Sequence, residues 1–156
     1  MRYQENMSKF NQKINVREYQ PSDRSEILDI YQSASEKTHA FLGMKNLVKE
    51  QKIMEESFSD PNSKCVVIER YGKVVGFTSF VSEIAMSAIF IKPNLQRSGL
   101  GTTLLQYIQL EKEKIKLAVY VENKIAIEFY KKNGFETSES KTNENGHKYV
   151  EMIWKK

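Results

Sequence analysis

The chain has 156 residues, 40% of them hydrophobic and 28% charged, with one cysteine and a net charge of +4 at pH 7. That length supports one domain whose core needs no disulfide or metal staple, and the lone Cys65 excludes a disulfide framework and a cysteine-rich zinc site. Lysine and arginine are dispersed, so the mild positive field suits an anionic small ligand and not nucleic acid.

Residues 1–12 are polar and lack an apolar h-region, so they read as a flexible extension and not as a signal peptide, with Met7 a second candidate start. Residues 13–156 read as a single domain. No apolar run approaches the ~18 residues of a membrane span, which points to the cytoplasm with no membrane partner. Ile14 to Tyr19 predicts a first strand. Pro21-Ser22-Asp23 opens a helix, with Ser22 or Asp23 as cap and Glu26 completing a capping box from Asp23. Ile27, Leu28, Ile30, Tyr31 and Ala34 then recur at helical spacing. Ser35 to Gly43 reads as irregular. Lys45 to Phe58 predicts a second helix, ended by Asp60-Pro61-Asn62.

Lys64 to Arg70 and Val74 to Val81 read as strands joined by a tight turn at Tyr71-Gly72-Lys73. Cys65, inside the first of them, reads as a small buried hydrophobe. Glu83 to Ile91 carries apolar residues without alternation, the pattern of a central strand covered on both faces. Leu100, Leu104, Tyr107 and Ile108 mark the next helix. Leu117 to Val121 predicts a strand, and Asn123 starts a helix that stops at a glycine cap, Asn133-Gly134. Phe135 to Ser140 and Lys148 to Trp154 read as a final hairpin across Asn145-Gly146, a type I′ signal. The order β-α-α-β-β-β-α-β-α-β-β predicts an α/β domain, a single mixed sheet of about seven strands with helices on both faces.

Between the central strand and its following helix the chain reads Pro93-Asn-Leu-Gln-Arg-Ser-Gly99-Leu-Gly101. Without Cβ atoms, Gly99 and Gly101 let the backbone turn tightly and approach a ligand. The first amides of the helix have no intrahelical partner, so loop and dipole together make an anion nest suited to a pyrophosphate. A dinucleotide fingerprint needs a third glycine where Leu104 stands, and a phosphate-binding Walker loop needs a lysine where Thr102 stands.

Gln96-Arg97-Ser98-Gly99-Leu100-Gly101 resembles the Q/R-x-x-G-x-G/A motif of the GNAT N-acetyltransferase superfamily, the loop that holds the coenzyme A pyrophosphate. Asn123-Lys-Ile-Ala126-Ile-Glu-Phe129-Tyr130-Lys-Lys-Asn-Gly134-Phe135 is similar to the N-x-x-A-x-x-F-Y-x-x-x-G-F block of the same family. Thr38-His39-Ala40-Phe41-Leu42 resembles the His-x-Phe-Ile/Leu turn of small bacterial members that include protein-lysine acetylating enzymes. The resemblance covers roughly Ile14 to Trp154.

The resemblance implies acetyl transfer from acetyl-CoA directly to a primary amine. The acceptor is a protein lysine, an amino terminus or a small-molecule amine, and no metal takes part. The alternative is a non-catalytic acyl-CoA sensor on the same fold. The amides of Gln96, Arg97, Ser98, Gly99, Leu100, Gly101 and Thr102 would hold the pyrophosphate. The backbone of Ile89, Phe90 and Ile91 would pair with pantetheine in a splay between central strands, beside Asn123, Ala126 and Tyr130. Asn123 also reads as a plain helix cap. Tyr130 would protonate the departing thiolate, an amide near Ile89 would stabilise the oxyanion, and His39 and Phe41 would line the acceptor side. Many members carry a carboxylate where Ser87 stands, and serine is a poor base unless activated. Water, Glu83 and His39 therefore all remain as routes for the amine proton. The family implies a monomer or a homodimer.

Overall fold

A computed structural model describes residues 13–156; the extension read over residues 1–12 lies outside the described residues. Strand β1 (Ile14–Glu18) pairs antiparallel with β2 (Lys64–Arg70), Val16 opposite Ile68. β2 enters β3 (Lys73–Phe80) through Tyr71 and Gly72, whose φ angles of 54° and 77° are the two left-handed conformations of a type I′ turn. Ile68 and Val75 join one buried cluster, while Val67 and Phe77 join another. The sheet is therefore covered on both faces.

Helix α1 (Arg24–Thr38) covers one face, setting Ile27, Ile30, Tyr31 and Ala34 against Val67, Phe77 and Phe90. It runs through Ser35–Thr38, where an irregular segment was expected, because Ser35 is still buried and Thr38 Oγ1 donates to the Ala34 carbonyl at 2.9 Å. The expected box from Asp23 to Glu26 does not form. Asp23 is buried and accepts from the Gln20 amide at 2.8 Å and from Arg17 at 2.8 and 2.9 Å, while Glu26 pairs with Lys92 at 2.7 Å. A short turn, Ala40–Leu42, leads to helix α2 (Met44–Ser57), which lays only half-buried side chains on the fold.

The strand expected over Glu83 to Ile91 is broken. Only Phe90–Ile91 forms strand β4, opposite Phe77 and Gly76 of β3. Before it, Met86 bridges Phe80. Between these points one main-chain bond remains, the Ser87 amide to the Ser79 carbonyl at 2.7 Å, and side chains take the other places: Thr78 Oγ1 donates to the carbonyls of Ser87 and Ala88 at 3.1 and 3.2 Å, and the Ser79 amide donates to Ser87 Oγ at 3.0 Å. Hydroxyls that bond main-chain groups compete with regular pairing.

Helix α3 (Leu100–Glu111) covers the opposite face with Leu100, Leu104, Leu105 and Ile108. Each such side chain contributes about 1.5–3 kcal/mol when fully buried, so this stripe fixes the helix, and with it the loop at its start. Strand β5 (Lys114–Tyr120), helix α4 (Lys124–Lys132), strand β6 (Glu136–Thr142) and strand β7 (Lys148–Lys155) complete the chain. At the tip of the last hairpin Asn143 Oδ1 accepts from the amides of Asn145 and His147. Gly146 has positive φ but Asn145 does not, so the turn is wider than the two-residue type I′ expected.

The single seven-stranded sheet of the sequence reading is two antiparallel sheets, ordered β1-β2-β3-β4 and β5-β7-β6. They touch at one parallel bridge, Ala85 to Lys116, where the Met86 amide donates to the Lys116 carbonyl and the Lys116 amide to the Ile84 carbonyl, both at 2.8 Å. Past that bridge no ladder joins the sheets, and Ile89–Ile91 parts from Ala118–Tyr120. Leu100, Leu104, Ile115, Leu117 and Met152 share one core across the seam. Among the described residues no helix is long and apolar enough to cross a membrane.

Candidate active site

The loop at the start of α3 is built from backbone conformation. Pro93–Leu95 forms a tight turn, the Gln96 side chain donates back to the Ile91 carbonyl at 3.2 Å, and Ser98 Oγ donates to the Leu95 carbonyl. Arg97 and Gly99 both take left-handed conformations, with φ of 64° and 86°. Alternating conformations of this kind turn successive amides to one side. Among the described residues, the amides of Arg97, Ser98, Gly99, Leu100, Gly101 and Thr102 meet no protein acceptor; the first helical bond is Thr103 to Gly99. A row of donors at the positive end of a helix dipole is complementary to a phosphate-bearing anion. A Cβ at Gly99 would meet no protein atom, so backbone conformation, not crowding, calls for glycine there.

Tyr130 lies on α4 and is 2% exposed. Its hydroxyl oxygen accepts from the Ile89 amide at 3.0 Å, at the point where the two sheets separate. Burial pushes the Tyr130 hydroxyl up to about 12, and the Ile89 amide opposes that shift. The group stays protonated near neutral pH. With its oxygen already accepting, its proton is directed elsewhere. The Ile89 amide expected for an oxyanion is committed to Tyr130. Asn123 Oδ1 accepts from the Ala126 amide at 3.2 Å, so the capping role is realised, and Asn123 and Ala126 also line the cavity beside Tyr130.

That cavity, of about 210 Å³, runs between the parted sheets. Ala88, Phe90, Ala118 and Val119 line it from the two sheets, and Tyr130, Asn123, Tyr31, His39, Glu50 and Tyr120 line it as well. The Tyr120 hydroxyl donates to Glu50 Oε1 at 2.9 Å. His39 Nδ1 lies 3.8 Å from Glu50 Oε2 and is buried without a hydrogen-bond partner. Burial holds the His39 pKa below its usual value, and the nearby Glu50 charge works in the other direction. Burial and Glu50 push the Tyr31 and Tyr120 hydroxyls up to about 12. Phe41 does not line the cavity but packs behind it, edge-on to Tyr120 and His147 with centroids 5.4 and 5.5 Å away.

Two more of the sequence candidates are not brought to this cavity. Ser87 spends its hydroxyl on Ser79 and the Ala88 carbonyl, facing β3 with no base beside it. Glu83 is exposed at the touching end of the sheets. Sequence reasoning missed Tyr31, Glu50 and Tyr120. No local motif marks Glu50, which lies 70 positions from its partner Tyr120; Tyr31 reads simply as one member of the buried stripe of α1. Cys65 is no rival nucleophile, because burial pushes its thiol up to about 12.

Comparison with known proteins agrees with this geometry. The description of the acetyltransferase (GNAT) domain matches residues 31–156. The chain is 30% identical over 120 residues to the peptidyl-lysine N-acetyltransferase YiaC of Escherichia coli K12, a span covering 77% of this chain and 82% of that protein. Its fold is similar to the solution structure of apo YjaB from Escherichia coli, with a TM-score of 0.77 and 21% identity, covering 90% of this chain and 97% of that one. It is also similar to the PaiA N-acetyltransferase of Thermoplasma acidophilum, whose crystal structure contains coenzyme A, with a TM-score of 0.74 and 16% identity over 92% of this chain and 99% of that one. An anion nest, parted sheets and a buried tyrosine at their fork, on a chain so matched, place the protein in the GNAT family of acetyl-CoA-dependent N-acetyltransferases.

Proposed function

We infer that the enzyme acetylates the side-chain amine of protein lysines, with acetyl-CoA as its second substrate. The observation that carries this reading is the fork at Tyr130 and Ile89, which puts a protonated hydroxyl in a cavity that aromatic rings and a carboxylate also line. The lysine acceptor is supported by the YiaC relative, named for peptidyl-lysine acetylation. The non-catalytic sensor reading has no observation in its favour.

The residues present fit acetyl-CoA. The unpartnered amides from Arg97 to Thr102 would hold its pyrophosphate, and the open side of Ile89–Ile91 would take its pantetheine arm as an added strand. The substrate supplies an activated acyl group on a thiolate leaving group. Tyr130 would give that sulfur a proton as the carbon–sulfur bond breaks. The Ile89 amide orients Tyr130, holding its oxygen so that the proton faces the cavity. Ala88 and Ala118 would leave room for the acetyl group, because neither projects beyond Cβ. Such chemistry uses cytoplasmic acetyl-CoA, and we assign the protein to that compartment.

The test is acetyl transfer to three acceptors under one set of conditions: lysine-containing peptides with blocked amino termini, lysine-free peptides with free amino termini, and spermidine. Preferred turnover of the blocked lysine peptides is expected. Preference for either of the others would overturn the lysine assignment.

A further inference from the structure

We propose that Glu50 and His39 form the acceptor's receiving site: Glu50 binds the incoming amine as an ammonium ion, and His39 takes its first proton. The inference rests on the acetyltransferase reading and adds to it a named base and the charge state in which the acceptor enters.

One buried hydrogen-bonding group at this site is unmatched. Glu50 Oε1 accepts from the Tyr120 hydroxyl at 2.9 Å, Tyr31 also lies against the carboxylate, and the Glu50 side chain keeps 27% exposure to water. Across 3.8 Å from Glu50 Oε2 stands His39 Nδ1, sealed from solvent and without a partner. Both atoms belong to residues that line the cavity. If Nδ1 carried the ring proton it would be a buried donor left 3.8 Å from the carboxylate, beyond hydrogen-bond range. With the ring proton on Nε2, Nδ1 is an acceptor. Nδ1 is then a buried acceptor without a donor beside the part-exposed Glu50 carboxylate, and a buried acceptor left unmatched is costly. An alkylammonium ion has three donors and no acceptor, so it satisfies both at once. The rings of Phe41 and Tyr120 stand edge-on to His39, and Tyr120, which lines the cavity, provides an apolar wall for an alkyl chain.

The proton count closes. The ammonium gives one proton to His39 Nδ1, forming an imidazolium beside the Glu50 carboxylate. The freed nitrogen lone pair forms the carbon–nitrogen bond, and the carbon–sulfur bond breaks. Sulfur takes the Tyr130 proton, and the second proton of the nitrogen returns to the Tyr130 oxygen. His39 then releases its proton to solvent. Ammonium and thioester thus become amide, thiol and one free proton. Desolvation in the cavity lowers an ammonium pKa from its usual ~10.4 and Glu50 raises it, while the same carboxylate stabilises the imidazolium that the first transfer forms.

The charge logic sets the pH sign. Burial lowers the His39 pKa and Glu50 raises it. Tyr31, Tyr120 and Tyr130 also face the cavity and stay neutral below about 12; the His147 ring packs edge-on to Phe41 and Tyr120 and does not line the cavity. His39 is a competent base only above its own pKa, so kcat/KM for the acceptor falls as pH drops through it. Glu50→Gln keeps an oxygen for Tyr120 but removes the charge. The His39 pKa should fall, moving the acid limb to lower pH, and KM for a lysine peptide should rise at least tenfold.

The test follows the His39 ring resonances by NMR in the protein alone, without acetyl-CoA, in wild type and Glu50→Gln. n-Butylammonium should shift the wild-type His39 resonances and lower its pKa, while n-butanol of the same length should not. Glu50→Gln should lose the response and titrate at lower pH. Equal responses to the amine and the alcohol, or a Glu50→Gln protein with the wild-type His39 pKa and a KM within twofold of wild type, would overturn the proposal. The ligand arm uses wild type only, so it decides even if the variant fails to fold. An n-butylammonium response in an enzyme that spares lysine peptides would remove the lysine assignment and keep this site.

Discussion

Replacing Tyr130 by phenylalanine tests the centre of the mechanism, because it removes one oxygen and keeps the ring in place. That oxygen has two connections in the structure. It accepts from the Ile89 amide at 3.0 Å, and it carries the proton that would go to the thiolate. Losing the first leaves a half-buried amide unmatched, at a cost of about 1–3 kcal/mol. Ile89 borders the open seam and water can reach it, so the lower end of that range applies. For a domain of this size each kcal/mol corresponds to roughly 2–4 °C in Tm. Losing the second removes general acid catalysis, which contributes ~10²–10⁴-fold to kcat. Acetyl-CoA affinity should be nearly unchanged, because the lost interaction operates in the transition state. The assay is single-turnover acetyl transfer to a lysine peptide, with thermal melts beside it. With the wild-type hydroxyl pushed up to about 12, roughly one molecule in 10⁵ is ionised at pH 7, so no alkaline loss of rate from Tyr130 should appear below about pH 11. A Tyr130→Phe enzyme with a lowered Tm and full turnover would refute the acid role and leave Tyr130 a prop for the Ile89 amide.

Three more outcomes follow from the geometry. Gly99→Val forces a β-branched residue to φ of 86° and should weaken acetyl-CoA binding at least tenfold, about 1.4 kcal/mol, by calorimetry; unchanged affinity would remove the loop from the cofactor site. Gly76→Ala places a Cβ against the Ile91 side chain and 2.8 Å from the Phe90 carbonyl, so β4 must shift; a loss of about 1–3 kcal/mol in denaturant unfolding is expected, and a neutral variant would show that β3 and β4 are not held as described. The Arg17 guanidinium and the Gln20 amide hold the Asp23 carboxyl below its usual value. Its contribution to stability is therefore complete above the unfolded carboxylate pKa of ~3.9 and is lost as pH falls through the folded one. Asp23→Asn should lower Tm at pH 7, with the gap to wild type narrowing below pH 4; a gap independent of pH would dissociate Asp23 from the ion pair.

How much of this was legible in the chain itself depends on the range of the forces involved. The anion loop was readable because its parts are neighbours: Arg97 and Gly99 turn the backbone and the helix start supplies the amides. The same holds for the tight turn at Tyr71-Gly72, for the Asn123 cap and for the helical stripe that carries Tyr130. The broken central strand was not readable, since an apolar run looks alike whether its ladder is whole or interrupted. Thr78 and Ser87 interrupt it only once β3 brings them together, and the Ile89 amide turns away only because α4 delivers Tyr130 to it. The division into two sheets follows from that break. The receiving site is the mixed case: the turn around His39 marked it in the sequence, whereas Glu50 on a helix and Tyr120 on the second sheet carry no signal in their own neighbourhoods. The site exists only after packing has put 3.8 Å between residues from separate elements and sealed His39 Nδ1 from water.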